Sequence, residues 1–312
     1  MRSVGPAPLA SWTKTEPISR WRGQRVLRSL RGLVSLVPGL AILGVFFLVP
    51  MLELVRMSVL RHDSVQIVTA QLTLANYRRI FSDPSYISMV LTSLQIGLAT
   101  TLVALLVGYP LAYYLTTILG WERTLISAVC LLPMFVTVVV GTLGWFIMLL
   151  PFGVAQRTLH ALGLVDGPLR LLNSLQGLVA VMVFLEAPYA ILILASGIQN
   201  VGQDKVHAAR VLGASTAQIF RKVMIPLTMP AIVSSAILVF SLSISSYLVP
   251  ALITGGTLRL LPLAIFTYTT DVINWPFASA LAVVLLVLVL GVTYTFTAVT
   301  NRLTARGKWE VV

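Results

Sequence analysis

Long apolar stretches, separated by short polar ones, set the pattern of the chain. Gly32 to Leu52 carries no charge, and neither do Pro84 to Trp121, Thr124 to Gln156, Val223 to Leu258 and Val272 to Asn301. Leu171 to Gln203 is interrupted only by Glu186. About 20 mostly apolar residues are enough for a helix to cross the hydrocarbon of a bilayer. The pattern therefore predicts six spanning helices, at about 33–57, 88–117, 125–150, 176–198, 229–253 and 278–300. The fold class is all-α, a polytopic membrane protein with about six transmembrane helices.

Composition agrees. Of 312 residues, 57% are hydrophobic and 10% are charged, against ~25% charged in soluble domains. Residues 1–32 form a basic tail with Arg2, Lys14, Arg20, Arg22, Arg25, Arg28 and Arg31 against Glu16. No apolar stretch suited to a signal core precedes the first span. Cytoplasmic segments are rich in Lys and Arg. Placing both termini inside puts fifteen bases in cytoplasmic segments and six in outer loops, counted from the tails, Arg123 and the bases at Lys205, Arg210, Arg221 and Lys222. The expected setting is a bacterial inner membrane, with 33–300 as the membrane domain and 301–312 as a second cytoplasmic tail. The net charge of +12 is not read as nucleic-acid binding, because the bases flank spans and face anionic lipid headgroups. Arg22, Arg25, Arg28 and Arg31 recur every three residues, which fits either an interfacial helix or a disordered basic tail. Cys130, alone and inside a span, offers neither a disulfide nor a Cys-based metal site.

The polar segment 204–226 stands between spans four and five. Asp204 is placed to cap a helix start, and Lys205 to Leu212, with His207, Ala208, Ala209 and Arg210, has no breaker. Gly213 suits a left-handed helix terminus. Ser215 with Gln218 three residues on forms a capping-box pattern. A second short helix is expected to end at Pro226 and Pro230, where the chain turns into span five. Helix, Gly turn, helix, then re-entry describes either a docking knob for a cytoplasmic partner or a connecting loop that happens to be helical.

The same stretch resembles the signature loop of ABC importer membrane subunits. That pattern is Glu-Ala-Ala, three residues, Gly, nine residues, then apolar, any, apolar, Pro. Here it reads His207-Ala208-Ala209, then Gly213, then Val223-Met224-Ile225-Pro226. "LTLANYRRIFSDPSY", "GYPLAYYL", "LLPMFVTVVVGTLGW" and "YLVPALITGG" resemble the subgroup of permeases for spermidine/putrescine and related small organic solutes. The resemblance implies a type I ABC importer permease fold. It also implies a second, homologous permease subunit, a cytoplasmic ATPase dimer that binds ATP and Mg, and a solute-binding protein at the outer face. His207 departs from the family's usual Glu. A neutral imidazole cannot supply that charge and an imidazolium reverses it. Either the ATPase has compensated, or shape and backbone carry the docking. A plain solvent-exposed histidine is the alternative.

Residues on a solute path are fewer. Glu186 is the acidic residue near mid-depth of a span, where charged residues usually face a cavity or a partner. Pro188 removes the backbone hydrogen bond to the carbonyl of Phe184 and leaves that acceptor near the carboxylate, and Tyr189 adds a ring able to hold a cation. The alternative is a protonated Glu186 bonded across a subunit interface. Tyr247 lies among four serines that fit close helix packing as readily as a polar path. Trp145 and Trp275 read as interfacial anchors, and Asp271 and Asn274 as outer-loop residues facing a solute-delivery protein. The chain has no GxxxxGK[ST] loop, no HExxH or Cys/His cluster and no credible Ser/His/Asp set. It is expected to need no cofactor of its own and to be no enzyme. Two rivals remain at this stage. An ion-coupled secondary transporter would need more mid-depth carboxylates, and a membrane enzyme would need a catalytic constellation. Within the importer reading, the alternative solutes are amino-acid derivatives, ferric iron, thiamine and phosphonates.

Overall fold

The computed structural model describes residues 19–63, 67–151, 153–163 and 171–306. It divides into two units, Met1–Leu54 and Val55–Val312. The tails 1–18 and 307–312 fall outside the described residues. In the first unit the described chain is helical from Ser19, the start of α1 (Ser19–Ser58), so the backbone of 22–31 is helix rather than coil.

The second unit begins at the end of α1. A short antiparallel hairpin follows, β1 (Leu60–Asp63) and β2 (Ile67–Leu72), with a register shift between Leu60 and Arg61. Then come α2 (Ala75–Ser82), α3 (Pro84–Thr117), α4 (Trp121–Phe135), α5 (Val138–Leu149) and α6 (Val154–Ala161). α7 (Leu175–Val201), α8 (Gln203–Val211), α9 (Thr216–Ile219), a π turn (Phe220–Met224) and α10 (Ile225–Ser245) lead to α11 (Leu248–Thr254), α12 (Leu261–Thr270) and α13 (Trp275–Arg306). Five helices are long and apolar enough to cross a membrane, and α4 with α5 makes a sixth candidate bent by 102°.

The expected spans are present, with three corrections. The third is not one straight helix. Pro133 cannot donate to the turn below it, Val136 is extended, and Thr137 accepts from the Val140 amide to start a new helix. The fifth helix ends at Ser245, not 253, because Ser246 is extended and α11 begins separately after Tyr247. The segment read as a last outer loop holds α12, whose Leu261 and Pro262 are buried. The hairpin is a further departure from an all-α chain. The Asn76 side-chain amide holds it against α2 by donating to the carbonyls of Ser58 and Leu60, both at 3.0 Å.

α7 is the central helix: 56% of its most apolar window is buried, against 33% or less in the other spans. It runs parallel to α3. Ile96 packs with Leu178, Val181 and Met182 near one end, and Gly108 lies against Ala190 and Ile191 further along. α10 returns antiparallel: Gly97 of α3 meets Phe240 and Ile244, while Tyr109 meets Thr228.

At Gly197, α7 approaches Ala231 of α10 closely. A Cβ there would lie 2.1 Å from the Ala231 Cβ, far inside contact distance. Gly197→Ala should therefore lower stability by about 1–3 kcal/mol, the usual cost of overpacking. Gly197→Ala/Ala231→Gly should recover most of the loss. Thermal unfolding of the purified complex checks both, and the pair fails as an explanation if the double variant is no better than the single.

Candidate functional site

Two clusters hold the residues singled out from sequence: the segment 204–226 and the middle of α7. The first is built by local chemistry. α7 ends at Gly202, whose φ of 77° only glycine adopts without cost. α8 starts there, so its cap position is Gly202 and not Asp204. Asp204 instead lies in the first turn, its charge matched to the positive end of the helix dipole. Lys205 is exposed.

α8 ends as the sequence predicts. Gly213 has φ 77°. Its amide donates to Arg210 O at 2.9 Å, and the Ala214 amide donates to Ala209 O at 3.0 Å. These are the two bonds of a Schellman terminus. Ser215 then caps α9. Its hydroxyl accepts from the Gln218 amide at 3.3 Å, while the Ser215 amide donates to Gln218 Oε1 at 2.9 Å.

The helix does not stop at Pro226, as the sequence reading expected. α9 continues through the π turn into α10, and the Ile225 amide bonds back five residues to Phe220 O. A proline ring collides with the carbonyl four residues before it. The widened turn moves that carbonyl away, so Pro226 is carried inside a continuous helical run from Thr216 to Ser245.

One face of this segment is anchored. Val206, Ala209, Ala214, Phe220 and Val223 pack on the core formed by α3, α7 and α10. Phe220 meets Tyr109 and Tyr113 of α3 edge-on, at 5.4 and 6.3 Å between ring centres. The Tyr109 and Thr228 hydroxyls are 2.9 Å apart, joining α3 to the start of α10. The other face, with Ala208, Arg210, Arg221, Lys222 and Pro226, is exposed. His207 is exposed too. Together with Arg210 it lines a groove of about 340 Å³ shared with Tyr113, Thr116 and Thr117 at the end of α3. Phe220, Tyr109 and Tyr113 were missed from sequence because an aromatic residue beside an apolar run looks like ordinary core.

In the middle of α7, Glu186 is 8% exposed and accepts a hydrogen bond from the Ser243 hydroxyl of α10. Its partner is within the chain, which the sequence could not show because 57 residues separate the two. Pro188 is buried and Tyr189 is half-buried. Phe184, whose carbonyl Pro188 leaves without that donor, faces outward and meets Trp145 edge-on at 5.0 Å. Tyr247 is 42% exposed and stacks on Phe266 at 4.9 Å, on the break between α10 and α11. Of the four path candidates, the structure brings Glu186, Pro188 and Tyr189 together on one helix and places Tyr247 apart, beyond the end of α10. Among the described residues no group of three or more His, Cys, Asp or Glu side chains could hold a metal ion.

A family model described as "Binding-protein-dependent transport system inner membrane component" matches residues 18–304. The chain belongs to that family. It is 31% identical, over 82% of its length and 91% of the relative, to the spermidine/putrescine transport system permease protein PotB of Haemophilus influenzae. The match to the permease of the same name from Escherichia coli K12 is 30% over 78% of this chain and 88% of that one. In fold it is similar to a solved bacterial ABC transporter involved in import of the acidic polysaccharide alginate, with TM-score 0.68, 17% identity, and coverage of 89% of this chain and 98% of that one. A solved bacterial alginate ABC transporter in complex with an alginate pentasaccharide-bound periplasmic protein matches with TM-score 0.67 at 17% identity, over 90% of this chain and 97% of that one.

The protein is therefore a multi-pass inner-membrane permease subunit of an ABC importer and works in a binding-protein-dependent system.

The geometry makes Glu186 an acceptor that holds α10 to α7. Glu186→Gln keeps a side-chain carbonyl for Ser243 and should leave complex yield and uptake within about twofold of the parent. Glu186→Leu leaves the Ser243 hydroxyl buried without its partner and should cost about 1–3 kcal/mol. Complex yield, melting temperature and uptake, read together for both variants, check this. A silent Leu variant, or a Gln variant that assembles normally but does not transport, contradicts it.

Proposed function

We propose that this chain forms half of the path by which an ATP-driven importer moves a polyamine or related small organic cation inward by alternating access. The observation that carries the substrate class is the length of the match to permeases named for spermidine and putrescine, 31% over 82% of the chain in one case. A homologous second permease supplies the other half of the path. A dimer of ATPase subunits supplies ATP and Mg chemistry, and this chain itself carries out no catalysis. Both termini and the segment 204–226 lie on the cytoplasmic side, and the solute-binding protein docks opposite. Tyr189 and Tyr247, which keep surface open, line the path, and Glu186 with Pro188 forms the wall behind Tyr189.

The coupling step follows from the anchoring. Closure of the ATPase dimer displaces α8 and α9. Val206, Ala209 and Phe220 pass that displacement to α3 and α7. The run from Thr216 to Ser245 passes it along α10, because no loop lies between the docked turn and the span to absorb it. The exposed His207 and Arg210 give the docking face a basic character where the family pattern has a carboxylate, and the ATPase surface facing them is expected to lack a free base.

Two experiments bear on this reading. Uptake of labelled spermidine or putrescine by cells carrying the complete system should stop when ATP is depleted under an intact proton gradient; continued uptake would point to an ion-coupled carrier. Separately, Gly213→Val forces a β-branched residue to φ 77°, a strain of about 1–3 kcal/mol. It should reduce uptake by roughly tenfold or more while ATP hydrolysis and membrane insertion persist. Gly213→Asn, which tolerates that conformation, should retain most uptake. Equal uptake by the Val variant and the parent removes the helix-turn-helix geometry from the coupling step.

A further inference from the structure

Two pairs of helices from opposite ends of the chain, α2 with α3 and α12 with α13, meet around one cation. Arg79 of α2 places its guanidinium carbon 4.5 Å from the ring centre of Phe277 in α13, 5.6 Å from that of Tyr86 in α3 and 5.9 Å from that of Tyr268 in α12. The rings brace one another. Phe277 meets Tyr86 edge-on at 5.2 Å and Tyr268 at 4.7 Å. The two tyrosine hydroxyls are 2.7 Å apart. Ring faces carry negative potential, so three rings turned on one point make a cation box.

The box does not need Arg79 to exist. Phe277 is 1% and Tyr86 5% exposed, and both belong to a buried cluster with Ile80, Leu261 and Leu281. Arg79 itself is exposed, and its hydrogen bond to the Tyr268 hydroxyl is long, at 3.5 Å. The occupant is held loosely in a site that its neighbours build rigidly. Carboxylates lie close by. Hydrogen bonding from Ser85 holds the carboxyl of Asp83, one turn on from Arg79, below the usual carboxylate range, and the charges of Arg79 and Arg259 add to this in a smaller way. Asp271, three residues beyond Tyr268, is exposed.

Position adds the last step. Tyr86 begins α3, whereas Thr116 and Thr117 at its other end face His207. Thirty residues of helix separate them, roughly 45 Å. The box therefore lies at the end of the domain away from the coupling segment, where a solute arrives.

We propose that the Arg79–Tyr86–Tyr268–Phe277 box is a binding station for an alkylammonium group, and that Arg79 is a resident occupant which an incoming amine displaces. In identifying that amine with the transported solute the inference rests on the substrate reading above; as a site for alkylammonium it does not.

The test uses the complete transport complex in nanodiscs of zwitterionic lipid, without the binding protein, titrated with spermidine, propylammonium and the neutral propanol. Wild type should bind spermidine weakly. R79A, with the box vacated, should bind spermidine and propylammonium roughly tenfold more tightly, with propanol unaffected. R79A/Tyr268→Leu should lose that gain; Tyr268 is only half-buried, so this variant spares the packed Phe277. Propylammonium should also raise the melting temperature of R79A and not that of wild type. Equal affinity of wild type and R79A for both amines, or an equal gain with propanol, overturns the proposal. Tighter amine binding by R79A in a system that imports no polyamine upholds the box and overturns the substrate reading alone.

Discussion

The behaviour of this chain as a moving part depends on one constraint: the helix from Thr216 to Ser245 must not break. Two prolines lie within it, at 226 and 230, and a proline normally kinks or ends a helix. The π turn over Phe220–Met224 resolves the conflict at Pro226 by lengthening the hydrogen bond ring there. The same wide turn directs Phe220 onto Tyr109 and Tyr113. A loop at this place would let the exposed turn swing independently of the membrane domain. A stiff run obliges α10 to follow it, and through the Tyr109–Thr228 contact it obliges α3 to follow as well.

Stiffness has to coexist with polar side chains at membrane depth, where unsatisfied groups are costly. Most are answered locally. Thr101, Thr142, Ser241 and Thr254 each donate to the carbonyl four residues earlier in their own helix. Among the described residues three buried side-chain bonds join different helices: Tyr109 with Thr228 and Ser243 with Glu186, which both involve α10, and Ser93 of α3, which accepts from the Leu261 amide of α12 at 2.9 Å. Among the described residues the buried hydroxyls of Thr100 and Ser235 have no partner. The polar content of the interior thus fastens α10 to α3 and α7, and α12 to α3, and leaves little to line an aqueous channel within one chain. That arrangement suits a half-path that a second subunit completes.

What could be read from sequence follows the range of the interactions involved. The spans were legible because solvent acts on each residue separately, and 20 apolar residues in a row announce a membrane without reference to any partner. Gly213 and the Ser215–Gln218 box were legible because their bonds close within five residues. The bend between Phe135 and Val138 was hidden although Pro133 was in view, since proline inside a spanning helix is often tolerated. Asp204 looked like a cap because carboxylates favour that position, but Gly202 had already ended α7 and fixed the start of α8 two residues earlier. α12 is ten residues long and too short to stand out from a loop. Glu186 with Ser243 and Arg79 with its three rings were invisible for the same reason: each needs elements brought together from across the chain.

The two ends of α3 are consequently built for different purposes. At its C-terminal end, Tyr109 and Tyr113 touch a segment whose opposite face is bare and basic. At its N-terminal end, Tyr86 joins the aromatic box beside the short helix α2, and hydrogen bonds from Asn76 of that helix to Ser58 and Leu60 tie the hairpin down. A rod driven from one end transmits tilt only if the other end is restrained by contacts weaker than its own backbone. Tyr86 is packed in an apolar cluster with Ile80, Leu261, Phe277 and Leu281, and the cation–π contacts of Arg79, together with the pair of tyrosine hydroxyls at its edge, can be exchanged without opening that cluster. The end remote from the coupling segment is therefore where the chain can respond to a cation with the least disturbance to its core.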